Sequence, residues 1–144
     1  DTTARVFTKV WEMAAFAGFL SGREAARHMK KRNRGSIFFT GATASVRGGS
    51  GFAAFSSAKF ALRSISQSMA RELGPQGIHV AHFIIDGAID TAFIKENFPD
   101  IYALKEKDGI LQPNAIADAY WFVHTQEKNA WTHELDLRPY MEKF

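Results

Sequence analysis

The residue types able to do chemistry in this 144-residue sequence crowd into the stretch from Gly35 to Thr91. Lys59 closes the segment Phe55-Ser56-Ser57-Ala58-Lys59 at the head of a helical pattern. Upstream, an apolar run ends in Thr40-Gly41-Ala42-Thr43, with Ser45 close behind. Downstream, a second apolar run carries His79 and His82 and ends in Asp86-Gly87-Ala88-Ile89-Asp90-Thr91. Two strands feeding one cleft would put the three pieces together. An unactivated hydroxyl with no adjacent base is a poor proton relay. Thr40, Thr43, Ser45 and Ser56 therefore read as strand-end and loop hydrogen-bonding residues rather than as catalysts. His79 and His82 interrupt a strand pattern, where a partly buried structural imidazole is expected rather than a base. Lys59, alone on a helix, would ordinarily be a solvated surface charge.

The elements that must position these residues follow from periodicity and punctuation. Residues 4 to 30 set Val6, Val10, Met13, Ala17, Leu20 and Met29 at helical spacing, with Asp1, Thr2 and Thr3 available as a cap. Asn33 to Gly35 supply helix-ending residue types. Residues 35 to 42 read as a buried parallel strand, and Arg47-Gly48-Gly49-Ser50-Gly51 as a loop. A helix returns from Phe52 or Phe55 to Leu73, with Ala58, Leu62, Ile65, Met69 and Leu73 on one face. Beside that face runs a stripe of small residues, Ser57, Ala61, Ser64 and Ser68, that would admit a second helix closely. Gly74-Pro75 ends it.

Ile78 to Ile85 is the second strand, and 90 to 111 reads as short helical turns and loop. Pro113 opens a helix over 113 to 127 in the favoured first-turn place. Trp131, His133, Leu135 and Leu137 alternate with polar neighbours, which predicts a half-exposed last strand near an edge or a partner. The sum is an α/β layout with about three parallel strands, flanking helices and right-handed crossovers.

Composition narrows the field. The chain is 46% hydrophobic and 23% charged, as expected of one soluble globular domain able to bury a core. It contains no cysteine, which excludes disulfides, thiol nucleophiles and cysteine-ligated metal. Eighteen basic against 15 acidic residues leave a mild net charge of +3. The cluster Lys30-Lys31-Arg32-Asn33-Arg34 has no interleaved aromatic and reads as a solvated loop, so no nucleic-acid partner is expected. Neither a signal-peptide pattern nor a membrane-length apolar run is found, and the expected location is cytoplasmic.

Three segments carry a resemblance. G-S-I-F-F-T-G-A from Gly35, R-G-G-S-G-F-A-A-F-S-S-A-K-F-A-L from Arg47 and M-A-R-E-L-G-P-Q-G-I-H-V from Met69 resemble the short-chain dehydrogenase/reductase family over nearly the whole chain. The resemblance implies the second half of a Rossmann-like doubly wound sheet and a nicotinamide-dependent oxidoreductase. In that family an Asn, a Ser, and the Tyr and Lys of a Y-x-x-x-K motif form a proton-transfer tetrad. The Tyr is the acid or base toward the substrate oxygen, and the Lys lowers its pKa while binding the cofactor ribose. Hydride delivery to a carbonyl requires such a proton donor within hydrogen-bond reach.

Carried over position by position, the motif retains one member, Lys59, which the resemblance places in the cleft facing the ribose. The Tyr position is Phe55, the Ser position Ala42 and the Asn position Ala14. The turn Asp86 to Thr91 is similar to the family's P-G-x-I/V-x-T segment and implies cofactor contacts at Gly87, Ile89 and Thr91. Asp86 replaces its proline, an acid that would repel a pyrophosphate unless it points away.

The glycine fingerprint for pyrophosphate is missing from these residues. Thr40 to Ser45 holds one glycine, and the Gly48 to Gly51 cluster does not directly follow a strand. The expectation is therefore a single partial domain over 1–144, truncated, descended from NAD- or NADP-dependent oxidoreductases, that does not itself bind cofactor or turn over. The alternative is a non-catalytic binding or assembly module on the same scaffold. With the edge of strand 35 to 42 open, self-association as a dimer or tetramer through helices 4–30 and 55–73 is expected.

Overall fold

The structure, a computed structural model, describes residues 2–143. Three parallel strands, β1 (Gly35–Thr40), β2 (Ile78–Ile85) and β3 (Glu134–Leu137), form one sheet in the order β1-β2-β3. Gly35 pairs with Ile78 at one end of the sheet and Ile85 with Leu137 at the other. Every residue of β2 is buried, as a central strand covered on both faces must be. Its mainly apolar run, broken by His79 and His82, is the sequence signature of that position. β3 alternates about its exposed Asp136, the half-exposed edge the pattern predicted.

On one face, Ile37, Phe39, Ile78 and Val80 pack against Ala26, Leu62 and Leu73. The last three come from α2 (Ala17–Lys30) and α3 (Ala53–Leu73). On the other face, Ala81, Phe83 and Ile85 meet Leu111 and Val123. Val123 belongs to α6 (Pro113–His124), which stops short of the predicted residue 127 because Thr125 folds its hydroxyl back onto Trp121 O and Phe122 O. Each large apolar side chain buried this way contributes roughly 1.5–3 kcal/mol. Between β2 and α6 lie α4 (Ala92–Asn97) and α5 (Pro99–Tyr102), the short turns expected over 90 to 111.

The first helical segment departs from its reading in two ways. α1 (Ala4–Trp11) runs into α2 through a π-helical turn, Glu12–Phe16, which no residue type announces. Thr3 caps α1 by accepting from the Val6 N–H at 3.3 Å, while Asp1 lies outside the described residues. The predicted apolar stripe is also not the buried one: Met13 is 77% and Val6 50% exposed, whereas Ala15, Gly22 and Ala26 are inside. Small residues face inward because α2 and α3 approach closely. A Cβ on Gly18 would stand 2.4 Å from Leu62 Cδ1. The close-approach surface thus lies on α2, and Ser64 and Ser68 of the stripe assigned to α3 are exposed.

β1 ends at Thr40, two residues before its predicted limit. Gly41 still donates its N–H to Phe83 O at 2.6 Å, but it passes so near the next strand that a Cβ would meet His82 Nε2 at 2.3 Å. The free edge of β1 faces a groove of about 480 Å³, lined on the helical side by Ala14, Gly18 and Ser21. Among the described residues no helix is long and apolar enough to cross a membrane.

Candidate functional site

Phe55 and Lys59 sit one turn apart on α3, above the carboxyl end of β1. The Lys59 ammonium donates to Thr40 O at 2.9 Å and lies 5.7 Å from the centre of the Phe55 ring. Burial pushes the Lys59 pKa down from the ordinary lysine value. Lys59 is thus half-buried against the end of β1, where it borders the groove along that strand. Phe55, Ala42, Thr43, Arg47, Phe52 and Gly87 line a cleft of about 430 Å³. Ala14, in the π-helical turn, lines the adjoining β1 groove together with Lys59. Ala42, Phe55 and Gly87 are thus brought together, while Ala14 meets Lys59 next door.

The nearby hydroxyls are all committed. Ser45 is fully buried and accepts from the Ala42 N–H at 3.0 Å, and Ser56 donates to Phe52 O at 2.9 Å. Thr40 Oγ1 shares a 2.7 Å hydrogen bond with the Tyr120 hydroxyl on the α6 side, and Thr43 Oγ1 donates to the Asp86 carboxylate. Only Thr43 stands beside a basic group, the Asp86 carboxylate, which is itself paired with Arg138 and Arg47.

Asp86 turns inward. It is 3% exposed, and besides Thr43 it has Arg138 Nη1 at 3.5 Å and Arg47 Nη2 at 4.0 Å. Its charge is balanced inside the protein, which removes the repulsion expected of an acid at that position. Gly87 follows at φ +144, where an added Cβ would also strike Pro139 Cδ at 2.9 Å.

Next, Ile89 forms a parallel bridge with Leu111 through Leu111 N–H to Ala88 O and Asp90 N–H to Leu111 O. The geometry of a parallel bridge leaves the N–H and C=O of Ile89 itself directed the other way. Thr91 Oγ1 accepts from the Ile94 N–H at 3.3 Å as the cap of α4, which keeps its O–H available as a donor. The Ile89 backbone and the Thr91 hydroxyl suit a carboxamide, and Lys59 suits a ribose hydroxyl.

Both strand histidines are more deeply buried than the sequence reading had them, at 3% exposure for His79 and 0% for His82. His79 Nε2 meets Thr132 O at 2.8 Å, and its ring stacks on Trp131 at 4.6 Å. His82 Nδ1 meets Glu134 Oε2 at 2.9 Å, and Glu134 takes a bidentate pair from Arg63 Nε and Nη2 at 2.8 and 2.7 Å. Arg63 and Glu134 lie 71 residues apart, and no local pattern could have joined them.

Burial pushes both histidine pKa values below the ordinary 6.5. The unfolded chain then takes up these protons first. Stability is full above about pH 6.5 and falls as pH drops toward the folded-state values, by at most about 1.4 kcal/mol per pH unit for each ring. Glu134, held low chiefly by Arg63, gives up its contribution only further down, below its ordinary 4.5. Urea midpoints are expected to decline between pH 7 and pH 5. A flat profile over that range would refute the assignment of neutral buried rings.

Comparisons with known proteins agree with this geometry. A short-chain dehydrogenase from Rhodopseudomonas palustris superposes with a TM-score of 0.77 at 55% identity, over 97% of this chain and 55% of that one. A 7 alpha-hydroxysteroid dehydrogenase solved with NADH and 7-oxo glycochenodeoxycholic acid gives 0.83 at 23% identity, over 97% of this chain and 57% of that one, a likeness of fold. Zerumbone synthase of Zingiber zerumbet is 28% identical over 141 residues, 88% of this chain and 53% of its own length. The chain spans about half the length of the curated relatives it matches. The profile of the short chain dehydrogenases matches residues 1–101, the stretch that holds the lysine of the Y-x-x-x-K position and the turn at Gly87, and the chain belongs to that family of oxidoreductases.

Proposed function

We propose that this chain keeps the nicotinamide-facing half of an oxidoreductase site without the proton donor, and that as it stands it does not turn over. The observation that carries this reading is Phe55: its ring lies against the Lys59 ammonium, which donates to Thr40 O. A bound NAD or NADP would supply hydride chemistry. Lys59, Gly87, Ile89 and Thr91 are the residues that would hold its ribose and carboxamide. What they leave undone is delivery of a proton to the substrate oxygen. A phenyl ring cannot donate one, and Ala42 and Ala14 add no polar side-chain atom.

Calorimetric titration of NADH and NADPH tests the reading. It should be made on this chain and on the chain fused downstream of the first half of a short-chain dehydrogenase domain. The expected result is heat of binding from the fusion only, and no carbonyl reduction from either protein. Carbonyl reduction by the fusion with Phe55 in place would overturn the reading.

A second reading, an assembly module that binds no cofactor, draws on the outward faces of helices 4–30 and 53–73. Phe7, Met13, Phe16 and Phe60 all stand exposed there. Self-association through these faces as a dimer or tetramer would cover them. Light scattering at increasing dilution reads this directly, and a monomer at all concentrations would dismiss it.

A further inference from the structure

The basic cluster between α2 and β1 is exposed throughout, as a solvated loop is, but its members have different neighbours. Lys30 pairs with Glu72 at 3.2 Å, but Arg32 and Arg34 border a pocket of about 490 Å³ that Lys128 borders from the far side. This pocket lies at the amino ends of β1 and β2, where Gly35, Ser36 and His79 line it, at the opposite end of the sheet from Lys59 and Gly87. None of its lining residues is acidic. Among the described residues, Arg34 and Lys128 have no ion-pair partner, and the Arg32 side chain only reaches Arg34 O at 3.3 Å.

The wall opposite the arginines is built and held. Gln126 clamps Thr132 twice, its Oε1 accepting from the Thr132 N–H at 2.7 Å and its Nε2 donating to Thr132 Oγ1 at 2.8 Å. Trp131 donates its indole N–H to Gln126 O at 3.3 Å and stacks its ring on buried His79 with 3° between the planes. His124 is fixed by Ser36, with Oγ and Nδ1 2.9 Å apart. Three basic residues from segments some 90 residues apart in sequence, Arg32 and Arg34 on one side and Lys128 on the other, thus border one pocket. Like charges that border one pocket repel, and an anion bound there would offset that repulsion. Two guanidinium forks and one ammonium match the several oxygens of a phosphate better than the two of a carboxylate.

We propose that this pocket is a second ligand site, which binds a phosphate group, free or carried on a small molecule, independently of the nicotinamide-facing cleft. Its volume falls in the range of small-molecule sites and exceeds what one phosphate fills.

The test is a titration of inorganic phosphate, pyrophosphate and phenyl phosphate into the protein at low salt. It is followed by calorimetry and by the indole N–H resonance of Trp131. Saturable binding is expected, with that resonance shifting. Arg34→Gln with Lys128→Gln is expected to weaken it by about tenfold or more, while Lys30→Gln, which removes a single charge nearby but outside the pocket, changes it less than about twofold. Tighter binding of phenyl phosphate than of phosphate assigns an organic phosphate, and the reverse order assigns the free ion. Absence of binding by all three up to about 10 mM overturns the site, as does binding that the double variant leaves intact or that Lys30→Gln weakens equally. Circular dichroism melts of the variants separate loss of binding from loss of fold.

Discussion

Glu134→Ala is expected to lower the stability of the fold by about 3 kcal/mol, the low end for removing one partner of a buried ion pair. The low end applies because Glu134 and Arg63 keep 26% and 30% of their side-chain surface in solvent. The cost arises mainly at His82, which is fully buried and whose Nε2 already has no hydrogen-bond partner among the described residues. Without Glu134 its Nδ1 loses its partner too, and Arg63 is left beside it with an uncompensated charge. Glu134→Gln keeps one acceptor for Arg63 or His82 and should cost about half as much. Urea unfolding followed by circular dichroism reads both differences. A midpoint unchanged by Glu134→Ala would mean that the network contributes nothing and that α3 and β3 are joined by apolar packing alone.

The same network shows where sequence reading works and where it stops. β2 was legible because a strand buried on both faces is predominantly apolar, and six of the eight residues from Ile78 to Ile85 are. The end of the first helix was legible because Asn33 and Gly35 do adopt positive φ. The buried face of that helix was not. Hydrophobic periodicity looks for large side chains, and here Ala15, Gly22 and Ala26 are buried so that α3 can come close, while Met13 is left outside.

Long-range electrostatics were equally hidden. Nothing near Asp86 in sequence reports that Arg138 will balance its charge and Thr43 will donate to it, and nothing near Arg34 reports that Lys128 will border the same pocket. The tetrad positions, by contrast, follow from local spacing on a helix and at a strand end. Phe55 and Ala42 line one cleft for that reason, and Lys59, one turn on from Phe55, lines the adjoining groove with Ala14 of the π-helical turn.

Phe55→Tyr together with Ala42→Ser is expected to raise carbonyl reduction by about 10²–10⁴-fold over the parent, in a form of the protein that binds NADH or NADPH. That range is what a positioned general acid supplies, and it corresponds to about 3–5 kcal/mol of barrier at 1.36 kcal/mol per decade. The phenol would be added to a ring already 5.7 Å from the Lys59 ammonium, so a positive charge stands ready to stabilise its ionised form. Phe55 is 38% exposed and lines the cleft, so the new oxygen needs no buried partner and should cost little stability. The serine at 42 would place a second donor on the same cleft.

The double variant should act through the proton and not through binding, raising kcat with little change in nucleotide affinity. Its rate should rise and fall with pH as a phenol titrates. If it binds nucleotide as the parent does and still reduces nothing, the missing phenol is not what silences the site. The fault would then lie with Lys59, whose ammonium is held by Thr40 O at 2.9 Å and would not be free to serve phenol and ribose together.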